Sequence, residues 1–369
     1  MTSKIIPFFN YPVLYERQKN DLLPLIDEIL SGGRYIMQKE LENFESDLAR
    51  YLDVKYVLGV ADGTMALILA LKASNIGLGD EVLVPSHTFV ASAAAIAHVG
   101  ATPVLVECDW THLMDPSDLD RRITSKTKAI MPVQLNGRVA EMNKIKDVAD
   151  RNGLIIIEDA AQALGAKFKG EFAGTFGVAG TFSFYPSKTL GGFGDGGAVV
   201  TNDSRIADSV RLLRDHGRHP SGEVIQWGFN SRLDNLQAGI LGYKLKHYSK
   251  EIERRRELAA LYQSSLDGLE ALKLPPAPSY GDHFDIFQNY EIEADYRDEL
   301  RAYLDVQGIK TIVQWGGKVI HQYPSLDLNK DLPMTELMSR RYMLLPMNTS
   351  LSDEDISYIC EKILTFYRR

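Results

Sequence analysis

The chain has 369 residues, of which 45% are hydrophobic and 24% charged, a composition typical of a globular protein with a large core. Its net charge is −8 and it contains no basic block, so we expect it to bind neither nucleic acid nor an anionic membrane. No apolar run approaches the roughly 20 residues that span a bilayer, and the first residues do not form a secretory signal. We therefore expect a cytoplasmic protein.

Helical and strand patterns alternate through the first two-thirds of the chain. This alternation is typical of an α/β fold, in which a mainly parallel sheet is covered by helices on both faces. Ligands of such folds lie at the carboxyl ends of the strands. The predicted helices are residues 64–74, 90–99 and 143–152, and the predicted strands are residues 81–84, 102–106 and 154–158.

The pattern changes near residue 245, where a long helical segment with charges at residues 250–257 begins. Its charges predict a solvated helix face. A proline-rich stretch at 274–279 and a second helix–strand region follow. We predict a large domain of residues 1–245, with the N-terminal segment included, and a small C-terminal domain of residues 246–369. Cys108 and Cys360 are expected to be buried thiols, because two cysteines make no disulfide framework.

Asp159 follows the apolar strand predicted at residues 154–158. A carboxylate at the carboxyl end of a strand can hold a cationic partner, such as the protonated pyridine nitrogen of pyridoxal phosphate. The charge keeps that ring an electron sink, and such a hydrogen bond contributes on the order of 1.5–3 kcal/mol. Aspartate is also a favoured helix cap, so Asp159 taken alone equally suits a structural role.

Lys188 lies on a loop between a predicted strand at residues 181–185 and a run of glycines that ends at Gly197. Glycines let the backbone approach a ligand closely, and a lysine in a pocket forms a Schiff base when its pKa falls. The segment GFGDGG, residues 192–197, formally matches the dinucleotide fingerprint. That fingerprint needs a strand before it and a helix after it, whereas a lysine loop precedes this segment and a predicted strand follows, so we exclude an NAD site.

Gly63 and Thr64 stand at the start of the helix predicted at residues 64–74. Backbone N–H groups at a helix N-terminus bind anions, and the Thr64 hydroxyl adds a donor. The pair is a candidate phosphate site, although a plain capping turn has the same sequence features.

Four motifs occur in a specific order: EDAAQ at 158–162, FSFYPSK at 182–188, GDGG at 194–197 and GFNSRLD at 228–234. With these motifs the chain resembles, over nearly its whole length, the DegT/DnrJ/EryC1/StrS family of nucleotide-sugar aminotransferases. That family is a branch of the fold type I pyridoxal-phosphate enzymes. The resemblance implies an aspartate aminotransferase-like α/β fold, with a mainly parallel seven-stranded sheet in the large domain and a smaller α+β C-terminal domain.

The resemblance also implies roles for the residues that match the motifs. Lys188 would carry pyridoxal 5′-phosphate as a Schiff base and move the proton during transfer, with no metal involved. Asp159 would pair with the pyridine nitrogen, Gln162 with the ring hydroxyl, and Phe89 would stack on the ring unless it is an ordinary core residue. The implied phosphate binders are Gly63, Thr64, Ser183 and, from the other subunit of a homodimer, Asn230.

By the same resemblance, L-glutamate would leave its amine on the cofactor as pyridoxamine 5′-phosphate. The amine would then pass to a keto group of a nucleotide-linked 6-deoxy hexose, dTDP being the favoured nucleotide, in amino-sugar or O-antigen-type polysaccharide biosynthesis. Tyr185 and the GDGG motif favour carbon 3 over carbon 4. The candidate substrate contacts are Tyr185, Arg232, Trp315, Lys318 and His321. Trp315 and Lys318 follow a predicted strand at residues 311–313, and structural roles suit Trp315 and His321 as well.

Several positions depart from the family pattern. Asp62 stands where serine or asparagine is common, so its carboxylate is expected to turn away from a phosphate. VQLNGR at 133–138 and QNY at 288–290 also differ, and we expect these loops to help select the sugar. Two further functions stay open: an aminotransferase for a small ketone, such as an inosose or triose phosphate, and a non-catalytic pyridoxal-binding regulator. A sugar dehydratase of this fold is excluded by lysine at 188, where those enzymes have histidine.

Overall fold

The computed structural model describes residues 4–328 and 331–368. The helices are α1 (Tyr11–Glu16), α2 (Lys19–Ser31), α3 (Lys39–Leu52), α4 (Gly63–Ala73), α5 (Val90–His98), α6 (Leu119–Arg122), α7 (Met142–Asn152), α8 (Ser204–Arg214), α9 (Asn235–Leu245), α10 (Tyr248–Leu266), α11 (Arg297–Val306), α12 (Pro333–Ser339) and α13 (Asp353–Tyr367). The strands are β1 (Tyr56–Val60), β2 (Glu81–Pro85), β3 (Thr102–Val106), β4 (Thr127–Ile130), β5 (Ile155–Asp159), β6 (Lys167–Phe168), β7 (Glu171–Phe172), β8 (Ala179–Ser183), β9 (Gly197–Thr201), β10 (Leu272–Lys273), β11 (His283–Phe284), β12 (Tyr290–Ala294) and β13 (Tyr342–Leu345).

A seven-stranded sheet in the order β1-β9-β8-β5-β4-β2-β3 forms the centre of the molecule. β8, β5, β4, β2 and β3 are parallel. β9 pairs antiparallel with both β8 and β1, so β9 alone runs against the others. The strands are short apolar runs buried almost throughout, as expected when helices cover both faces of a sheet. The predicted α/β fold with a mainly parallel sheet is confirmed.

The carboxyl ends of β1, β2, β5 and β8 meet at one edge of this sheet, because these four strands run in the same direction. Gly63 follows β1, Phe89 follows β2, and Asp159 and Ser183 end β5 and β8. Residues up to 120 positions apart in sequence, Gly63 and Ser183, therefore lie at the same edge. This edge is where a parallel sheet binds its ligands.

A second, three-stranded sheet (β10-β12-β13) lies in the C-terminal third of the chain. Its strands are antiparallel and pack with α10, α11 and α13 in a hydrophobic cluster separate from that of the large sheet. Ile6 and Ile309 also belong to this second cluster. Cys108 and Cys360 are buried free thiols, as predicted. No helix in the described part of the chain is both long and apolar enough to span a bilayer.

The prediction of a solvated face for the charged helix is wrong for two of its arginines. Arg255 and Arg256 on α10 are buried. Arg255 donates to the backbone carbonyls of Phe287, Gln288 and Met347, and Arg256 donates to two further carbonyls. All five carbonyls lie outside the strands, three of them between β11 and β12. Guanidinium groups with their several N–H donors satisfy them. A count of charges along the sequence does not reveal such partners.

The strand predicted at residues 311–313 is also absent. Ile312 makes only an isolated bridge to Leu344, after which a 3₁₀ turn (Gln314–Gly317) begins. Trp315, Gly316 and Gly317 in this turn all have positive φ values. That backbone conformation ends any extended run after a single pairing residue.

Candidate active site

Asp159 is buried at the end of β5. Its Oδ2 accepts a hydrogen bond from Ser92 Oγ at 2.7 Å, and its Oδ1 accepts one from the backbone N–H of Ala161 at 3.2 Å. Burial raises the pKa of Asp159, although these two donors and the charge of Lys188 act to lower it. A buried carboxylate with so few donors is stabilised in its charged form by a cation placed beside it.

Lys188 lies on the loop after β8, partly buried. Burial lowers the pKa of its amine from 10.5 to about 8, although the carboxylate of Asp159 acts to raise it. A lysine in this state supplies an appreciable fraction of neutral amine near neutral pH, as a nucleophilic or proton-transferring lysine requires.

The Lys188 loop is held from both sides by Gln288. Its Oε1 accepts from the Thr189 backbone N–H at 2.7 Å and from the Thr189 hydroxyl at 2.6 Å. Its Nε2 donates to the Ser187 carbonyl at 2.7 Å. The residues on either side of the lysine are thus fixed to the segment that precedes β12, so the position of the amine depends on both parts of the molecule.

The turn between β1 and α4 forms the candidate anion site. Asp62 caps the helix by accepting from Met65 N–H at 2.8 Å, so its carboxylate is held at the first turn of α4. A Cβ added to Gly63 would lie 2.8 Å from Ser183 Cβ, which makes glycine necessary for this close approach. The first turn of α4 and the end of β8 therefore lie side by side, which places Gly63 against Ser183.

Gln162 is held by two asparagines, Asn136 and Asn289. Its Oε1 accepts from the backbone N–H of Asn136 at 2.9 Å and from Asn289 Nδ2 at 3.3 Å. Asn289 Nδ2 also donates to Asn136 Oδ1 at 2.9 Å. These asparagines belong to the two loops expected to select the sugar, and both of them reach the candidate cofactor residue Gln162.

Three aromatic residues lie near the sheet edge. Phe89 is 52% exposed, and its ring centroid is 6.5 Å from that of Trp315. Tyr185 is also exposed. A core phenylalanine would be enclosed by apolar side chains, whereas Phe89 presents about half of its surface.

The other candidate substrate residues are more dispersed. Arg232 forms an ion pair with Asp215, with 2.7 Å between Nη1 and Oδ1. His321 is buried, with Nδ1 2.6 Å from Ser86 Oγ and Nε2 2.9 Å from Glu336 Oε2. Lys318 is exposed, and its Nζ lies 5.6 Å from the centre of the Tyr323 ring. Both ring nitrogens of His321 already have protein partners, as a structural histidine would.

A cleft of about 1140 Å³ opens beside the Lys188 loop. It is lined by residues of α1, residues 186–193, the α9–α10 junction and residues 348–352. Lys244 lines it too, donates to the Gly191 carbonyl at 2.6 Å, and has its pKa lowered by burial to about 8. Lys244 and Ser92 belong to none of the four motifs, and each acts through a long-range contact that the sequence does not show.

Residues 16–364 match the DegT/DnrJ/EryC1/StrS aminotransferase family. The chain belongs to this family. It is an aminotransferase that uses pyridoxal phosphate, so the predicted enzyme class and cofactor are confirmed. The aminotransferase is similar, at 41% identity over 94% of its chain and 92% of the relative, to dTDP-3-amino-3,4,6-trideoxy-alpha-D-glucose transaminase of Streptomyces venezuelae. It is 40% identical, over 98% and 99% of the two chains, to a protein of Geobacillus stearothermophilus named pleiotropic regulatory protein.

The fold of the aminotransferase agrees with this membership. DesV of S. venezuelae, solved in complex with a ketimine intermediate, matches it with a TM-score of 0.95 at 38% identity, over 99% of both chains. Other relatives, at 36–38% identity, are named for UDP- and GDP-linked sugars. The relatives named as transaminases or aminotransferases are named for nucleotide-linked sugars and differ in the nucleotide and the sugar. Two other relatives are named as regulatory or sensory proteins.

The residues at the sheet edge fit the cofactor. A buried carboxylate suits a pyridinium nitrogen, an amine with a lowered pKa suits the aldehyde carbon, and a helix N-terminus beside a serine suits the phosphate. In this structure the carboxylate is Asp159, the amine is Lys188, and the anion site is the junction of α4 with β8.

Proposed function

We propose that this aminotransferase moves the amino group of L-glutamate to a keto group of a nucleotide-linked hexose, with Lys188 as the residue that binds the cofactor covalently. The observation that carries the proposal is that Lys188, whose pKa burial lowers to about 8, and the buried carboxylate of Asp159 lie at the carboxyl ends of neighbouring strands at one edge of the sheet, close enough for each charge to act on the other. Bound pyridoxal phosphate supplies the electron sink for the reaction. The chain itself supplies the charges, the anchors and the proton transfers.

Each residue at the edge has a distinct task. Lys188 Nζ takes a proton from one carbon and returns it to another, in both halves of the reaction, which needs a pKa near neutrality. Asp159 stays charged and holds a positive charge on the ring nitrogen. Gly63, Thr64 and Ser183 bind the phosphate, Gln162 the ring hydroxyl, and Phe89 the ring face. The exposure of Phe89 supports its role, because a ring that stacks on a ligand has to be accessible.

The pKa of Lys188 predicts how cofactor attachment depends on pH. Only the neutral amine attacks an aldehyde, and a group with a pKa of about 8 is roughly 10% neutral at pH 7 and roughly 90% neutral at pH 9. We expect the rate at which pyridoxal phosphate is attached to cofactor-free protein to rise about tenfold between these pH values. Stopped-flow absorbance measures this rate. Lys244→Gln is the control, because Lys244 has a similar pKa, and its profile should match the wild type; a flat profile would contradict the proposed state of Lys188.

For the acceptor we propose a dTDP-linked 3-keto-6-deoxy hexose. Two observations support this choice: a 41% identical relative is named for a dTDP-3-amino sugar, and Tyr185 and the GDGG motif resemble members that act at carbon 3. The exposed Tyr185 and Lys318, with Trp315 near Phe89, offer aromatic and cationic contacts of the kind that suit a nucleotide.

A panel of ketones with L-glutamate tests the acceptor. It contains 3-keto and 4-keto hexoses linked to dTDP, UDP and GDP, together with an inosose and dihydroxyacetone phosphate. We expect kcat/KM to be highest for the dTDP-linked 3-keto sugar. Highest activity with a 4-keto sugar would refute amination at carbon 3, and preference for a small ketone would refute a nucleotide sugar. Turnover of no ketone by the cofactor-bound protein would favour a regulator, the kind of protein that one relative is named as.

We also propose a homodimer, with Asn230 of each subunit completing the phosphate site of the other. Asn230 is exposed, next to a loop with the exposed apolar residues Val224, Ile225 and Trp227. The Trp227 side chain is 95% exposed, and a large apolar group of this kind often marks a protein interface. The resemblance to the family supplies the rest of the argument.

We expect Trp227→Asp to convert the dimer to monomers and to reduce activity in proportion, because a carboxylate is costly to bury in an apolar contact. Sedimentation velocity and activity on the same sample measure the two effects. Tyr280→Asp is the matched control, since Tyr280 is 85% exposed and belongs to another surface. A wild-type monomer with full activity would rule out the shared site.

A further inference from the structure

A buried cluster of charged and polar side chains lies between the large sheet and the β10-β12-β13 sheet. Its centre is Glu291 on β12. Glu291 Oε1 lies 3.2 Å from His87 Nε2 and 2.6 Å from His112 Nδ1, and accepts from Asn136 Nδ2 at 3.0 Å. Its Oε2 accepts from Gln314 Nε2 at 3.1 Å. Four side chains thus contact this carboxylate, three of them at Oε1.

Two of these donors belong to loops that carry candidate site residues, and a third donates to such a residue. His87 lies two residues before Phe89, on the loop between β2 and α5. Gln314 directly precedes Trp315. Asn136 donates its backbone N–H to Gln162 Oε1. One carboxylate of the small sheet therefore contacts the loops that place the ring-stacking, ring-hydroxyl and nucleotide candidates.

We propose that Glu291 is a positioning residue, which holds Gln162 and the Phe89 and Trp315 loops in place for the cofactor and the substrate through Asn136, His87 and Gln314. This inference rests on the proposed role of Gln162. Glu291 lies behind the residues that would contact the cofactor and acts only through them. Because those contacts cross between the two sheets, the geometry of the site depends on how the two sheets are packed.

The charges of the cluster support this arrangement. Burial alone would raise the pKa of Glu291, but the charges and hydrogen bonds of His87 and His112 hold it well below its ordinary range. Burial also opposes charge on His112, yet hydrogen bonds to Glu291 and Glu293 raise its pKa to about 9. His112 is therefore an imidazolium that bridges the two carboxylates at neutral pH, and removing one partner of such a buried pair is costly.

His87, His112 and Glu291 are also residue types that bind metals. The hydrogen bonds favour the positioning role instead. The amide N–H groups of Asn136 and Gln314 point at the carboxylate, and His112 Nε2 faces Glu293 Oε1 at 3.1 Å. A cation at this place would have to compete with amide donors and with a protonated histidine.

Glu291→Gln tests the proposal, with Glu293→Gln as the matched control. Both positions are buried on the same face of β12 and both contact His112, but Glu293 otherwise pairs with Lys273 and Arg341. We expect Glu291→Gln to weaken cofactor binding about tenfold and to shift the visible absorption maximum of the bound cofactor. Glu293→Gln should lower the thermal midpoint while cofactor affinity and spectrum stay within about twofold of the wild type. Asn136→Ser removes the Nδ2 donor to Glu291 and the Oδ1 acceptor of Asn289 and Gln314, but keeps the backbone N–H that Gln162 accepts. It should reproduce the spectral shift.

Equal effects of Glu291→Gln and Glu293→Gln on affinity and spectrum would overturn the proposal, since the cluster would then be merely structural. An unshifted absorption spectrum of the bound cofactor in Asn136→Ser would also overturn the proposal. This variant provides the test if Glu291→Gln fails to fold. Elemental analysis of the purified wild type should find no stoichiometric metal. If the wild type holds one zinc ion per chain and His112→Gln loses it, the cluster is a metal site and the positioning role is refuted. Failure of the wild type to bind pyridoxal phosphate would instead refute the proposed function.

Discussion

Replacing Lys188 by alanine is expected to lower kcat for amino transfer by about three orders of magnitude or more, because a positioned general acid and base contributes roughly 10²–10⁴-fold and the covalent anchor is lost as well. The fold should survive, since the Lys188 loop is held by backbone contacts of Ser187 and Thr189 with Gln288. Steady-state kinetics with glutamate and the best ketosugar of the panel measure the loss.

Lys188→Arg is the matched control for charge. It keeps a cation beside Asp159, but a guanidinium stays protonated and cannot serve as nucleophile or base at neutral pH. We therefore expect it to be as inactive as Lys188→Ala. If either variant turns over at more than about a tenth of the wild-type rate, Lys188 is not the residue that transfers the proton.

Asp159→Asn is expected to lower kcat about 10- to 100-fold. The neutral amide removes a charge-assisted hydrogen bond of about 1.5–3 kcal/mol to the ring nitrogen, and each 1.4 kcal/mol corresponds to about a factor of ten. The variant should remain folded, because the amide oxygen can still accept from Ala161 N–H and the amide N–H can donate to Ser92 Oγ. Single-turnover kinetics with glutamate measure this loss.

Ser92→Ala distinguishes the effect of the Asp159 charge from the effect of the hydrogen bond that Asp159 accepts. It removes the 2.7 Å hydrogen bond to Oδ2 but leaves the carboxylate charged. We expect an effect of less than about tenfold, in line with the loss of one hydrogen bond. Wild-type kcat in Asp159→Asn, or a larger loss in Ser92→Ala than in Asp159→Asn, would show that the charge of Asp159 does not carry the effect.

The sequence predicts the elements of the large sheet well because its strands are short apolar runs and because α4 begins at a recognisable cap. Asp62 precedes an apolar helical run in the sequence, and it caps α4 in the structure. The place of Asp159 at the end of β5 follows from the same pattern. Local signals of this kind need no knowledge of distant contacts.

Long-range partners are what the sequence does not show. The charge pattern predicts solvated side chains for Arg255 and Arg256, yet they satisfy carbonyls between 23 and 92 residues away. Asn136 and Asn289 lie 153 residues apart, yet they are hydrogen-bonded to each other and both contact Gln162. In the sequence nothing distinguishes Glu291 from other strand residues. In the structure its carboxylate contacts His87, which follows a strand of the large sheet, and Gln314 of the C-terminal region. Such contacts depend on how the two sheets pack against each other, and the hydrophobic periodicity of the sequence does not predict this packing.

The most direct test is to reduce the cofactor-bound protein with borohydride and to map the modified peptide by mass spectrometry. The purified protein should be yellow, and reduction should fix pyridoxal phosphate on Lys188 and on no other lysine. Lys244 is the informative comparison, because it lines the same cleft and its pKa is also about 8. Modification of Lys244 in place of Lys188, or an adduct that persists in Lys188→Ala, would contradict the assignment of Lys188.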